Sequence, residues 1–442
     1  MISNDPRGTA IPKQLNGEDA THVAPDAELA PDGPSSEASP ILSAIFTEEN
    51  SDKKLEPALQ RPAEAGFAPP PPVNTAHAIL PVIDVRDLDW SALRDRIDIG
   101  GVRSRIAGIV SNMESLLNQP TGIGMLFDSD RSCPSDKAIR VTQVDGSALW
   151  IIGDLHGDLL ALEAALLLIR SHVQHGAANS RIIFLGDLFD DEGFGLEVLL
   201  RVFELVLENP ALVCIMAGNH DEALGYDGTQ FTSSVWPSDF SDFLNSSAGD
   251  EWITRAGKLA ISFFALAPRA LFFPDGLFVA HGGFPLVDLH PQLQNTGEWN
   301  DPACLSDFVW TRAHPTARKK LPNRFSRGGQ FGFEDFDAFC SLAGSLGRPV
   351  SHMVRGHDHV EQRFAVYPAY RAHPILTTVA LSRRLSREFL GPFERAPTVA
   401  RFVEGGLPQI FRLQVPAGLI AEIYPEPLDG GDTQLESAPG VA

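Results

Sequence analysis

Short polar motifs follow several apolar runs of this sequence, and their side chains are of the kinds that bind metal ions. In chain order the motifs are "GDLHGD", "GDLFDD", "GNHDE", "HGGF" and "RGHDH". They supply carboxylates, imidazoles and one amide, from Asp154, His156, Asp187, Asp190, Asn219, His220, His281, His357 and His359. This mixture suits Mn²⁺, Fe or Zn²⁺ better than an all-oxygen calcium site or a thiolate zinc site.

The candidate ligands are more numerous than one ion needs, and two ions that share a carboxylate would account for the excess. A pair of ions about 3.5–4 Å apart can clamp a phosphoryl group and make hydroxide from water near neutral pH. A glycine beside each ligand lets the backbone turn sharply and approach closely. The simpler alternative for any single motif is a polar turn that caps the following helix.

Strands and helices are predicted to alternate around these motifs. The apolar runs "ALWII", "RIIFL", "ALVCIMA", "GLFVA" and "SHMV" each precede one motif and predict strands. The segments "LLALEAALLLIRSHV" and "LEVLLRVFELVLEN" predict helices after the first two. Ligands in layered α/β folds gather beyond the carboxyl ends of strands, so we expect the motifs to converge.

In this order and spacing the motifs resemble the signature blocks of the calcineurin-like metallophosphoesterases. The segments "GDLFDDEGFGLEVLL", "LFVAHGG", "DFVWTRAHP", "SRGGQFGFEDF" and "VRGHDHVEQ" are similar to the phosphoprotein phosphatase branch of that family. The resemblance covers about residues 146–415. It implies an α/β fold with a central β-sandwich of mixed sheets flanked by helices. It also implies two divalent metal ions, with manganese preferred and iron or zinc as alternatives.

The resemblance further implies how the ligands divide between the two ions. They would be Asp154 and His156 for the first metal, Asp187 as the bridge, and Asn219, His281 and His357 for the second metal. The broader superfamily often adds the second histidine of a GHxH block to the first metal, so His359 is predicted as a further ligand. Its alternative role is that of a hydrogen-bond partner behind the ligands.

His220 would not bind metal, because it matches the general acid of the family. Asp190 would orient it, and it would protonate the leaving alkoxide. The nucleophile would be metal-bound hydroxide, so no Ser or Cys nucleophile is needed. Asp158 and Asp221 are predicted to cap helices or to support the ligands.

The second motif departs from the branch at the position of its phosphate-binding arginine, which is Asp191 here. A carboxylate cannot form the bidentate pair that a guanidinium makes with phosphate, and it repels a dianion. Arg327, in "FSRGGQFGF", matches the other phosphate arginine of the branch and is the main candidate for binding substrate. Arg355 is a weaker candidate, and a purely structural role is its alternative.

Three functions remain open on these residues. The first is a phosphatase of the Ser/Thr phosphoprotein type. The second is a phosphodiesterase or dinucleoside polyphosphate hydrolase, which Asp191 favours slightly because a diester oxygen carries less charge to clamp. The third is a non-catalytic binding module that retains its metals. The Asp190–His220 pair argues against the third, because binding alone needs no general acid.

Composition and motif positions divide the whole chain into four predicted segments. They are an acidic, Pro- and Ala-rich disordered arm over 1–77, a helical extension over 78–145, the catalytic domain over 146–425 and a flexible tail over 426–442. The extension includes one predicted helix, "GVRSRIAGIVSNMESLLNQ", over 101–119.

Bulk composition limits the partners. The 35 basic and 57 acidic residues give a formal charge of −22, which disfavours a nucleic-acid or anionic-membrane surface. We therefore expect a phosphoprotein or small phosphoester as the partner; the oligomeric state stays open. The four scattered cysteines form no CxxC pair, and the N-terminus lacks a secretory pattern, so a soluble, cytoplasmic protein is predicted.

Overall fold

The computed structural model of the chain describes residues 80–120, 122–142, 146–174, 180–191, 193–323, 327–382, 396–403, 406 and 408–424. The predicted disordered arm over 1–77 and the predicted tail over 426–442 lie outside the described residues.

The described strands are β1 (Val82–Val85), β2 (Ala138–Arg140), β3 (Ala148–Ile152), β4 (Ser180–Phe184), β5 (Val213–Ile215), β6 (Leu224–Tyr226), β7 (Phe231–Ser233), β8 (Ala270–Phe272), β9 (Leu277–Ala280), β10 (Arg312–Ala313), β11 (Gln330–Phe331), β12 (His352–Arg355), β13 (Phe364–Val366), β14 (Ile375–Thr378), β15 (Thr398–Phe402) and β16 (Gln409–Leu413). The described helices are α1 (Trp90–Arg96), α2 (Ile99–Ser104), α3 (Ile106–Leu117), α4 (Leu159–Gln174), α5 (Gly195–Glu208), α6 (Asn219–Ala223), α7 (Asp239–Ser246), α8 (Glu251–Leu266), α9 (Pro291–Thr296), α10 (Pro302–Trp310), α11 (Phe333–Ser345) and α12 (Ala417–Ile423).

Two six-stranded mixed sheets form the centre of the fold. The first has the order β1-β16-β15-β3-β4-β5, with β3, β4 and β5 parallel and β15 antiparallel to both of its neighbours. The second has the order β13-β14-β12-β9-β8-β2, with β14, β12 and β9 parallel. The predicted α/β class, a central sandwich of mixed sheets flanked by helices, is confirmed.

The apolar runs of the strands are explained by burial on both faces. Along β3, Leu149 and Ile151 pack between the two sheets, whereas Trp150 and Ile152 pack on the helices of the outer face, including α4 and α5. In the second sheet, Val354 joins the core between the sheets. Successive side chains of a strand point to opposite faces, so strands covered on both sides are continuously apolar.

Glu163 interrupts the apolar sequence of α4, and its partner lies on α5. The carboxylate accepts a hydrogen bond of 2.6 Å from Arg201 Nε, and both side chains are buried. A buried charge of this kind persists only when it is paired. The pair therefore joins α4 to α5 across the outer face of the first sheet.

The extension over 78–145 is helical in part and contributes to both sheets. Its β1 pairs with β16 in the first sheet, and its β2 pairs with β8 in the second. The single helix predicted over 101–119 is divided into α2 and α3, which meet at Arg105. This segment is thus integrated with the residues that carry the motifs.

The sheet topology brings the motifs to one edge of each sheet. The parallel strands β3, β4 and β5 end together, and each is followed by a motif. The parallel strands β9 and β12 of the second sheet do the same. In the part of the chain that the structure describes, no helix has the length and apolar character needed to cross a membrane.

Candidate metal centre

The motif loops turn abruptly, with several of their residues in the left-handed backbone region. Seven non-glycine residues of the described chain have positive φ, and five lie in the motifs, namely His156, Asp187, Asp190, Asp191 and His357. Left-handed conformations of such residues are uncommon and cluster at functional sites. The turns direct side chains from different strands toward one another.

Two glycines make room for the carboxylates. A Cβ atom at Gly356 would lie 2.2 Å from Asp154 Oδ1, and one at Gly218 would lie 2.2 Å from Asp187 Oδ1. Both distances are far shorter than a van der Waals contact. The glycines of "RGHDH" and "GNHDE" are therefore required so that the backbone of one loop can approach the carboxylate of another.

One group of donors is centred on His281, which is fully buried at the end of β9. Its Nε2 lies 3.1 Å from Asn219 Oδ1, 3.1 Å from His357 Nδ1 and 3.3 Å from Asp187 Oδ2. His281 Nδ1 donates to the Leu185 carbonyl oxygen at 3.1 Å, so Nε2 is the nitrogen that is placed to bind a metal ion.

Atoms that carry lone pairs repel one another at such distances unless a hydrogen or a cation lies among them. Ligands about 2.0–2.2 Å from one ion are separated by about 3.0–3.5 Å, which is the spacing seen around His281 Nε2. The donors of Asp187, Asn219, His281 and His357 therefore fit a divalent ion.

A second group is formed by Asp154, His156 and His359. His359 Nε2 lies 3.0 Å from His156 Nε2 and 3.4 Å from Asp154 Oδ2. His156 Nε2 lies 3.6 Å from Asp187 Oδ2, the same oxygen that approaches His281. Asp187 thus contacts both groups through one atom, which is the arrangement that a bridging ligand requires.

Neighbouring charges and burial shift the pKa values of Asp187, His357 and His281. Burial alone would raise the pKa of Asp187, but His281 and His220 hold it well below its usual value. Burial and the positive charges of Arg312 and His281 hold the pKa of His357 well below its usual value. Asp187 is therefore charged and His357 neutral, as metal ligands must be. Burial opposes the charged form of His281, but Asp187 and Asp154 outweigh it and raise its pKa, so this ring binds an ion only after it releases a proton.

His220 and Asp190 form a separate pair beside the ligands. His220 Nδ1 lies 2.7 Å from Asp190 Oδ2, while Asp190 Oδ1 accepts the backbone N–H of Phe240 at 2.9 Å. Burial opposes the charged imidazolium, but Asp187, Asp190 and Asp191 outweigh it and raise the pKa of His220 to about 9. The carboxylates around His220 therefore favour its protonated form.

Two further buried carboxylates hold the loops. Asp221 accepts the backbone N–H groups of Asp187, Leu188 and Gly218 at 2.6, 3.2 and 2.8 Å, which joins the loops after β4 and β5. Asp158 accepts from the N–H of Ala161 at 2.8 Å in the first turn of α4. Both are supporting residues.

The two predicted substrate arginines occupy different environments. Arg327 is exposed, and its guanidinium lies over the Trp310 ring at 5.0 Å. Trp310 Nε1 donates to Glu222 at 3.2 Å, two residues beyond His220. Arg355 is completely buried and donates to the Gly282 carbonyl and to Asp358. Its burial favours the structural alternative over contact with substrate.

Arg312 is a residue of the site that sequence analysis did not identify. Its Nη1 donates to the His357 carbonyl at 2.9 Å and to Asp358 Oδ1 at 2.8 Å, which secures the loop after β12. No periodicity or metal-ligand spacing marks this position, because the contact joins segments 45 residues apart.

Comparison with known proteins agrees with this geometry. Residues 148–361 match the family model described as calcineurin-like phosphoesterase. This part of the chain is a calcineurin-like phosphoesterase domain. It contains all the candidate metal ligands together with His220 and Asp190.

Two curated relatives are protein phosphatases. The chain is 24% identical over 225 residues to serine/threonine-protein phosphatase T of Schizosaccharomyces pombe, covering 49% of this chain and 43% of that protein. It is 22% identical over 222 residues to the serine/threonine-protein phosphatase 6 catalytic subunit of Caenorhabditis elegans, covering 49% of this chain and 60% of that protein. The chain thus spans about half the length of these relatives.

Solved structures show a weaker likeness. A serine/threonine phosphatase from Saccharomyces cerevisiae aligns with a TM-score of 0.46 at 16% identity, over 70% of this chain and 88% of that chain. The resemblance to metallophosphoesterases of the phosphoprotein phosphatase branch, inferred above from the motifs, is confirmed by the family and relative matches.

Proposed function

We propose that the chain hydrolyses phosphoesters with two divalent metal ions and acts as a Ser/Thr-type phosphoprotein phosphatase. One observation carries the proposal. A single oxygen, Asp187 Oδ2, lies 3.6 Å from His156 Nε2 and 3.3 Å from His281 Nε2, so that two groups of donors share it. Shared carboxylates are the means by which proteins hold two ions close enough to act on one phosphoryl group.

The ligands divide as the geometry groups them. The first ion is assigned to Asp154, His156 and His359, the second to Asn219, His281 and His357, and Asp187 to both. When bound, such ions supply Lewis-acid charge to phosphoryl oxygens and activate a water molecule near neutral pH. Manganese is our preferred metal; iron and zinc suit the same donors.

His220 is assigned the proton transfer to the leaving group. Asp190 holds Nδ1 at 2.7 Å, so the ring orientation is fixed and Nε2–H remains as a donor. The carboxylates around it, with Asp190 in direct contact, raise the pKa of His220 and so favour the protonated ring that a general acid needs. General acids placed in this way contribute about 10²–10⁴-fold to a rate.

A protein substrate is supported by the curated relatives and by Arg327. Both relatives are named as serine/threonine-protein phosphatases. Arg327 is an exposed guanidinium on the side of the site where Trp310 contacts Glu222. We assign it the recognition of substrate phosphate. A cytoplasmic location accords with such substrates.

A phosphodiesterase or dinucleoside polyphosphate hydrolase is the second candidate, and Asp191 favours it. The Asp191 carboxylate lies 3.1 Å from His156 Nδ1, where the phosphatase branch has an arginine. A negative charge beside the metal ligands disfavours a phosphomonoester dianion more than a diester monoanion.

Hydrolysis of two chromogenic substrates separates these functions. Purified full-length protein is assayed on para-nitrophenyl phosphate and bis-para-nitrophenyl phosphate with Mn²⁺, with Zn²⁺ and with chelator, and Asp187→Asn serves as the inactive control. Metal-dependent turnover of the monoester above the diester supports the phosphatase. Phosphopeptides would then be assayed as substrates. A preference for the diester supports the second candidate. No turnover of either by metal-loaded protein would instead indicate a binding module.

A further inference from the structure

The unusual acid at position 191 has a specific neighbour in the structure. Asp191 Oδ2 lies 3.1 Å from His156 Nδ1, and the two side chains are 5% and 1% exposed. The Nδ1–H direction is not aligned with this oxygen in the structure, but the separation is within hydrogen-bond reach. A carboxylate buried to this degree requires a hydrogen-bond donor or a positive charge nearby.

The two nitrogens of His156 face different surroundings. Nδ1 faces Asp191, while Nε2 faces Asp187 Oδ2 and His359 Nε2. Histidines that bind metal through one nitrogen commonly donate the other N–H to a carboxylate, which fixes the tautomer and the ring orientation. The surroundings of His156 match this pattern.

The loop after β4 repeats the arrangement at consecutive residues. Asp190 holds Nδ1 of His220, and Asp191 lies at Nδ1 of His156. The two imidazole rings are perpendicular, with centroids 4.8 Å apart. Asp191 has a φ of 71° and donates its backbone N–H to Asp239 Oδ1 at 3.1 Å, so its backbone is held as well.

We propose that Asp191 is a positioning residue for His156, accepting its Nδ1–H so that Nε2 presents a lone pair to the first metal ion. The inference rests on the proposed function, since it assumes the metal pair. An arginine at this position has only donors and could not accept this hydrogen. At position 191, the aspartate thus supports a metal ligand, whereas the arginine of the branch contacts substrate.

Equilibrium dialysis with Mn²⁺ tests the proposal without substrate. Full-length wild type, Asp191→Ala and the isosteric Asp191→Asn are compared. Asp242→Asn serves as the matched control, because Asp242 is an exposed carboxylate on α7. We expect Asp191→Ala to lower the affinity for one of the two Mn²⁺ ions about 10–100-fold. Asp191→Asn should lower this affinity less. The control should bind as wild type does.

The same measurement in a His156→Ala background shows whether Asp191 acts through the histidine. There, adding Asp191→Ala should change Mn²⁺ affinity by less than about twofold. An equal loss in both backgrounds, or unchanged affinity of Asp191→Ala in the native background, overturns the proposal. Far-UV circular dichroism of the metal-free variants checks that they fold. If wild type itself binds no Mn²⁺, the proposed function fails; if only the Asp191 effect is missing, this inference alone fails.

Discussion

At the scale of single residues, consecutive positions of "GNHDE" serve different purposes. Asn219 Oδ1 faces His281 Nε2 at 3.1 Å and belongs to a ligand group, whereas His220 Nδ1 faces Asp190 Oδ2 at 2.7 Å. Asp221 then holds the loop through three backbone N–H groups. The short helix α6 turns each side chain in its own direction.

Substitution of the first two positions should separate metal binding from turnover. We expect His220→Asn to retain both ions and to lose about 10²–10⁴-fold in kcat. Asn219→Ala should weaken the binding of one ion, because it removes a donor atom. Metal content by atomic emission and hydrolysis of para-nitrophenyl phosphate provide the two measurements. Similar loss of metal from both variants would contradict the division.

The pH dependence of activity should respond to Asp190. Burial lowers the pKa of His220, while Asp187 and then Asp190 raise it, to about 9 in total. Asp190→Asn removes part of the rise, so the pKa of His220 falls. A general acid works only while protonated, so activity should decline at lower pH than in wild type. The profile of kcat/KM across neutral and alkaline pH measures this. An unchanged alkaline limb would show that His220 is not the acid.

Residues of the site differ in how well the sequence predicted them. Six of the seven candidate ligands stand beside glycines in motifs that follow apolar strands, and this local pattern identified the seven ligands together with Asp190 and His220. Arg312 and Phe240 also hold the site, but through contacts with His357 and Asp190 that only the folded chain creates. Arg355 matched a motif, yet its guanidinium is committed to Gly282 and Asp358.

At the scale of elements, continuous apolar runs predicted the strands that carry the motifs. These strands are covered on both faces, which makes the runs easy to recognise. The strand β1 was not predicted, because three of its four residues are exposed and its partner β16 lies more than 300 residues away. Likewise, no helix-breaking residue marks the division between α2 and α3.

Close packing at the ends of the strands gives a prediction for glycine. Gly356→Ala places a Cβ 2.2 Å from Asp154 Oδ1, so we expect weaker Mn²⁺ binding and a loss of about 1–3 kcal/mol in the free energy of unfolding. Gly344→Ala is the control, since this glycine is exposed in α11 with open space around it. The Gly344→Ala variant should show an increase of about 0.5–1 kcal/mol in the free energy of unfolding. Urea unfolding of metal-free protein measures both. Equal effects of the two changes would contradict this account of the loop.

At the scale of the whole molecule, the two sheets contribute different candidate ligands to one site. The first sheet carries Asp154, Asp187 and Asn219, and the second carries His281 and His357. An ion bound by residues of both sheets would join them. The extension over 78–145 adds a strand to each sheet, which composition could not show because its pairing is entirely long-range.

Removal of metal should therefore destabilise the fold. A ligand present at 100 times its Kd stabilises the folded state by about 2.7 kcal/mol. We expect added Mn²⁺ to raise Tm and chelator to reverse the rise, as measured by differential scanning calorimetry. Asp187→Asn should show a much smaller rise, because Asp187 lies in both groups. Identical Tm values with metal and with chelator would be inconsistent with ions that join the sheets.

In the proposed site, two ions share the Asp187 carboxylate. Anomalous diffraction at the manganese edge, from crystals of the full-length protein grown with Mn²⁺, tests it most directly. We expect two peaks about 3.5–4 Å apart, one beside His156 and one beside His281, with Asp187 between them. A single peak, or two that do not both contact Asp187, would contradict it.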